Sequence, residues 1–94
     1  MPKAVWEGVV LAEAAYSVAV GERHYFPPDS LRKEYLQPST THTLCSQKGA
    51  ASYFHVEVNG KRMADAAWFY SSPQEDRYGI KDYVAFGRAV SIEP

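Results

Sequence analysis

Asn59-Gly60 lies between two alternating runs, Ala51 to Val58 and Lys61 to Tyr70. A two-residue type I′ turn needs positive φ at both central positions. Asn and Gly enter that region at least cost, so the pair predicts an antiparallel hairpin over residues 51–70. With a loop of this length Val58 faces Lys61 and Glu57 faces Arg62; the same register carried down the strands puts Phe54 opposite Asp65. Alternation then sorts the side chains onto two faces. Ser52, Phe54, Val56, Val58, Met63, Asp65, Ala67 and Phe69 share one face, the more aliphatic and the expected core side. Tyr53, His55, Glu57, Arg62, Ala64, Ala66, Trp68 and Tyr70 share the other, with Glu57 and Arg62 as a cross-strand ion pair. The assignment assumes that no β-bulge shifts the register.

The rest of the chain reads as further short β pieces. Val9 to Glu13 follows Gly8 as a strand, with a short helix starting in Ala12–Ala15 as the alternative. Tyr16, Val18 and Val20 alternate as a second or edge strand, and His24-Tyr25-Phe26 is a third, stopped by Pro27-Pro28. Asp29 or Ser30 caps a short helical segment in which Leu31, Tyr35 and Leu36 lie at helical spacing before Pro38 ends it. Residues 38–49 are polar and aperiodic, a loop with at most a short strand through Thr41, Thr43 and Cys45. Gln74-Glu75-Asp76 has the composition of a helical turn, and Tyr83–Phe86 and Ala89–Ile92 are closing strands. The expected class is mostly β, α+β at the margin, as one domain over residues 1–94.

Composition narrows the function. A formal net charge of −1 over 94 residues, with basic residues scattered, is not the footprint of a nucleic-acid or anionic-membrane binder. The single cysteine, Cys45, excludes an intrachain disulfide and a zinc site built from paired Cys-x-x-Cys motifs. The three histidines, at 24, 42 and 55, match no metal spacing, so no metal and no cofactor is expected. Walker and G-x-G-x-x-G motifs are absent. Glu7 and Glu13 interrupt any signal-like apolar run and no stretch is long enough to span a bilayer, so the expected location is cytoplasmic.

Two constellations carry chemistry. On the second hairpin face Tyr53, Trp68 and Tyr70 surround small alanines, a pattern that suits an aromatic-lined ligand pocket and equally suits packing against another layer. Before the hairpin, Cys45 and Lys48 lie three residues apart, where an amine can lower the thiol pKa. Asp65, on the expected core face, needs a hydrogen-bonding or charged partner. It acts either as a structural acceptor or as a general base or ligand-orienting group, with Lys48 as one possible partner. Cys45, Lys48 and Asp65 are thus the catalytic candidates, and Lys48, Tyr53, Asp65, Trp68, Tyr70 and His42 the ligand-binding candidates.

These residues also carry a resemblance. Thr43-Leu44-Cys45-Ser46-Gln47-Lys48-Gly49-Ala50-Ala51-Ser52-Tyr53, Ala64 to Pro73, Tyr83-Val84-Ala85-Phe86, Tyr25-Phe26-Pro27 with Asp29, and Leu36 with Pro38-Ser39 resemble the motifs of domain of unknown function 427, a small bacterial and fungal family. The resemblance runs through nearly the whole chain. It implies a small two-sheet antiparallel domain of the β-tent type with one or two short helical turns. It also places Cys45, Lys48, Tyr53, Asp65, Trp68 and Tyr70 in the site region. Other tents, such as methionine sulfoxide reductase B and the thalidomide-binding domain of cereblon, hold zinc with two cysteine pairs, which this chain lacks. They place ligands at an aromatic-lined sheet face, and by analogy the same face is favoured here. A name attached to the family mentions nucleotidyltransferases, yet the sequence has neither paired carboxylates nor a glycine-rich phosphate loop to support that chemistry.

No activity follows from the sequence. The leading expectation is a small-molecule-binding domain with its pocket at the 51–70 hairpin. The alternatives are an enzyme using Cys45 or Asp65 with Lys48, and a structural or protein-interaction module. Expected partners are a small-molecule ligand and further copies of the chain, with no nucleic acid and no membrane.

Overall fold

The computed structural model describes residues 1–73 and 75–94, and its architecture grows outward from the predicted hairpin. Asn59 and Gly60 hold φ of 50° and 81°, both positive as a type I′ turn demands. They join β6 (Gly49–Val58) to β7 (Lys61–Tyr70). The remaining strands are β1 (Lys3–Trp6), β2 (Val9–Glu13), β3 (Val18–Val20), β4 (Arg23–Phe26), β5 (Leu36–Cys45), β8 (Val84–Phe86) and β9 (Ser91–Glu93). Two antiparallel sheets result, one of three strands in the order β2-β1-β9 and one of six in the order β3-β4-β8-β7-β6-β5. The protein is mostly β.

Near the turn the hairpin keeps the expected register, Val58 with Lys61, Glu57 with Arg62 and Val56 with Met63. It then breaks. Phe54 pairs with Ala67, so Ala64, Asp65 and Ala66 all stand opposite His55. Asp65 takes up the extra length with a φ of 52°. The expected pairing of Phe54 with Asp65 on the core face is therefore incorrect. Two extra residues preserve the side-chain parity beyond the bulge, so Ala67 and Phe69 stay on the aliphatic face and Trp68 and Tyr70 on the other. Within the bulge parity fails: Ala66, expected beside the aromatics, is buried in the aliphatic core, and Ala64 is exposed.

A matching irregularity lies across β6. Pro38 pairs with Phe54 and His42 with Ser52, leaving Ser39, Thr40 and Thr41 opposite Tyr53. Here the sequence expectation needs its largest correction. Residues 38–45 form most of a ten-residue strand rather than a loop, and Leu36 and Pro38 belong to that strand rather than to a helix. Pro38 is tolerated because β5 is an edge strand, where a missing N–H is no loss to an inner ladder. The helical expectation upstream shrinks to two 3₁₀ turns, Pro28–Ser30 and Lys33–Tyr35. Of the helical turn expected at 74–76, Gln74 lies outside the described residues, and Glu75 and Asp76 are not helical. Strand β1, unpredicted, pairs with β2 through a turn at Glu7-Gly8, with φ of 51° and 73°.

The three-stranded sheet packs on the aliphatic face of the large one. Ala4, Leu11 and Ala12 from the small sheet meet Phe26, Val56, Val58, Ala67, Val84 and Phe86 from the large one. Phe26, Leu11, Val56, Val58 and Val84 are the largest fully buried side chains. Each such burial stabilises by about 1.5–3 kcal/mol relative to exposure. Along β4 and β8 the alternation sends Phe26, Val84 and Phe86 into this core and Tyr25 and Ala85 to the opposite side. There a second, smaller cluster forms from Tyr25, Ala51, Tyr70, Ala85 and Ile80, with Ile80 supplied by the connection between β7 and β8. Among the described residues, no helix is long and apolar enough to cross a membrane.

Candidate functional site

Among the described residues no second sheet lies over the outer face of the large sheet, yet that face is aromatic rather than polar. Antiparallel sheets usually alternate apolar-in with polar-out, so this face departs from the common pattern. Register explains how it is assembled. Val18 pairs with Tyr25, Tyr25 with Ala85, Ala85 with Trp68 and Trp68 with Tyr53, giving one row across five strands. The Trp68 indole N–H donates to the Tyr25 hydroxyl at 3.4 Å, over the small side chain of Ala85. The Tyr53 and Trp68 rings lie 6.2 Å apart at 47°. The Arg23 guanidinium sits 5.7 Å from the Trp68 ring centroid, a cation–π contact. Trp68 and Tyr53 remain partly exposed, whereas Tyr25 and Tyr70 are buried. Burial, reinforced by the Tyr25 hydroxyl, pushes the Tyr70 phenol up to about 12, so it is a neutral donor at physiological pH.

Cys45 adjoins this face at the end of β5, half-buried against the Tyr70 cluster. Its thiol pKa is held below the ordinary value by the backbone N–H groups of Gln47 and Lys48, with a smaller contribution from the Lys48 charge. The tight turn that follows, with Gly49 at φ 95°, aims those amides back at the sulfur. Beside it opens a cleft of about 340 Å³ lined by Ser46, Gln47, Lys48, Pro73, Glu75, Arg77, Tyr78 and Ile80. Ile80 also belongs to the aromatic cluster, so cleft and face are contiguous. Two cations, Lys48 and Arg77, stand against one carboxylate, Glu75, which Arg77 approaches at 3.6 Å. The Asp76 carboxylate accepts from the Ile80 and Lys81 amides at 2.7 and 3.3 Å and shapes the cleft's far wall.

The candidates from the sequence fall into separate places. Tyr53, Trp68 and Tyr70 share the outer face, and Lys48 and Cys45 flank its cleft. His42 points the other way, alternating with Thr43 and Cys45, and its Nδ1 lies 3.3 Å from the Ser52 hydroxyl. Asp65 is occupied elsewhere. Its carboxylate accepts from the Ser39 hydroxyl at 2.6 Å and the Thr41 hydroxyl at 2.8 Å, bridging β5 and β7 across β6. Those two hydroxyls hold its pKa below the usual carboxylate range. The Asp65 N–H donates to His55 Nδ1 at 2.9 Å, which puts the proton of the neutral ring on Nε2. Asp65 thus meets its need for partners at a pair of bulges. Lys48 lies beyond the far end of β6, where the stretch from Gly49 to His55 alone spans roughly 20 Å at about 3.3 Å per residue.

Arg23, Tyr25, Arg77 and Ile80 also border the aromatic face and its cleft and were not among the sequence candidates. Arg23 and Tyr25 alternate on one strand, but only the pairing of β4 through β8 to β7 brings them to Trp68. Among the described residues, no three His, Cys, Asp or Glu side chains converge as metal ligands.

Two antiparallel sheets with one apolar interface, an aromatic outer face and a cleft at its margin that carries Lys48 and Arg77 define a small β-sandwich-like domain. The chain belongs to the family described as domain of unknown function (DUF427), whose model matches residues 2–93. No curated protein matches the sequence.

Proposed function

We propose that the protein binds a small anionic molecule on the outer face of the six-stranded sheet. The observation that carries this reading is the continuity of the cleft at Lys48 and Arg77 with the aromatic row through Ile80. Lys48 and Arg77 attract the charged group, and the half-exposed Tyr53 and Trp68 offer a planar apolar surface for the rest. Arg23 over Trp68 adds a third cation, with no carboxylate partner among the described residues. Pockets of this type combine apolar walls with a few placed polar groups.

The test is a thermal-shift screen of anionic metabolites, with 1-anilinonaphthalene-8-sulfonate fluorescence as a general probe of an aromatic anion site. Binding at a hundredfold excess over Kd stabilises by about 2.7 kcal/mol, a readily measured shift. Lys48→Ala, at a half-buried residue, and Arg77→Ala, at an exposed one, should weaken binding without unfolding the protein. Equal binding by wild type and both variants would remove the cleft from the reading.

A second reading is thiol chemistry at Cys45, favoured by its depressed pKa and by its place between cleft and aromatic cluster. The thiolate is the reactive form, so alkylation by iodoacetamide should be faster than for an ordinary cysteine near neutral pH. It should slow in Lys48→Ala by the part owed to the Lys48 charge. An inflection at the ordinary cysteine value would dismiss this reading.

A further inference from the structure

An edge strand exposes a row of unpaired N–H and C=O groups, and proteins usually blunt it with brevity, charge, proline or a cover. Four strand edges border the two sheets here, and three are blunted. The edge at β3 is three residues long. At β2, Leu31 bridges to Ala12 and the Arg32 N–H donates to the Leu11 carbonyl at 2.8 Å, so residues 31–32 cover it. The edge at β9 is three residues long and ends on Glu93. The fourth, β5, is ten residues long with its outer edge unpaired among the described residues. Its first half carries Pro38 and the bulge at Ser39–Thr41; its second half, Thr41 to Cys45, has no such device. No Lys, Arg, Asp or Glu occurs from Leu36 to Cys45, and Leu44 is the most exposed large apolar side chain, at 89%.

We infer that the β5 edge, through Thr41–Cys45, pairs antiparallel with the same strand of a second copy. Several features select a second copy. A strand meeting itself about a two-fold axis must be self-complementary, and like charges on it would face one another. This strand carries none. The Thr41 and Thr43 hydroxyls are already engaged within the chain, with Asp65 at 2.8 Å and Tyr53 at 2.9 Å. The contact therefore rests on the strand's main chain and on Leu44, which meets uncharged partner side chains instead of water. The product joins two six-stranded sheets edge to edge and places the two outer faces on one continuous surface. Two five-residue strands bury less than the roughly 1,200 Å² of a standard stable interface. The dimer is accordingly weak and concentration-dependent.

Sedimentation velocity on the full chain tests this, between about 10 µM and about 1 mM, the range that spans weak to moderate association. The mean mass should climb from that of a monomer toward twice that value, and amide exchange at 41–45 should slow as concentration rises. Leu44→Lys and Leu44→Glu should each stay monomeric alone and associate when mixed in equal amounts. Both should melt like monomeric wild type, because Leu44 packs against nothing that folding requires. A wild-type mass that stays monomeric at every concentration would overturn the inference. So would association unaffected by Leu44→Lys, failure of the mixture to associate, or protection confined to other strands.

Discussion

Asp65 carries a positive φ that a β-strand residue seldom adopts, and it is held there from both ends. Its N–H is taken by His55 and its carboxylate by Ser39 and Thr41. Its folded pKa lies below its unfolded value, so its stabilising contribution is present above about pH 4 and is lost as pH falls through the folded pKa. Asp65→Asn should therefore melt lower than wild type at pH 7 and lose less stability than wild type between about pH 4 and pH 2. Chemical denaturation across that range checks both. Ser39→Ala combined with Asp65→Ala should cost less than the sum of the single changes, as for any shared hydrogen bond. Tyr70 gives the alkaline counterpart. With its folded pKa near 12 and an unfolded value near 10, the unfolded chain releases the proton first. Stability should fall as pH rises from about 10 to 12, and Tyr70→Phe should remove a tyrosine that ionises near pH 12 from a titration at the phenolate absorbance.

At the scale of the element, the hairpin is local chemistry and its bulge is not. Gly60 has open space where a Cβ would stand, so the cost of Gly60→Ala is conformational alone, about 1 kcal/mol for a left-handed residue. Urea denaturation with an unchanged m-value is the expected readout. Strand β5 shows why an element can escape composition. Its polar threonines and Pro38 read as a loop, yet the pairing energy comes from β6, and threonine suits a half-exposed strand. The first strand, Lys3–Trp6, was legible in principle. Glu7-Gly8 is a two-residue turn of the same geometry as Asn59-Gly60, but Glu rarely signals positive φ.

For the whole molecule, the interface between the two sheets is the main source of cooperativity. Leu11 contributes the small sheet's largest fully buried side chain to that interface. Leu11→Ala should cost about 2–5 kcal/mol. A domain of this size has roughly 5–15 kcal/mol in all, so the melting temperature should drop by about 10 °C or more. The outer face is insulated from that loss by lying on the opposite side of the large sheet. A conservative change there, Tyr53→Phe, removes only the hydroxyl that meets Thr43 at 2.9 Å and should leave the melting temperature within a few degrees.

Sequence alone determined the turn at 59–60, the mostly-β class, and the division of the hairpin into an aliphatic and an aromatic face. Each rests on φ preference or on a period of two, which neighbouring residues set among themselves. Family resemblance supplied the two-sheet arrangement and drew Cys45, Lys48, Tyr53, Asp65, Trp68 and Tyr70 to one region, from which Asp65 stands apart. Tertiary structure alone decided that His42 turns away, that Asp65 bridges two bulges, and that Arg23, Tyr25 and Arg77 border the aromatic face and its cleft. The reason is distance along the chain. Asp65 finds its acceptor role through hydroxyls 24 and 26 residues away, and Trp68 meets a hydroxyl 43 residues away. Contacts of that span are set by which strands lie side by side, and no local pattern encodes that order.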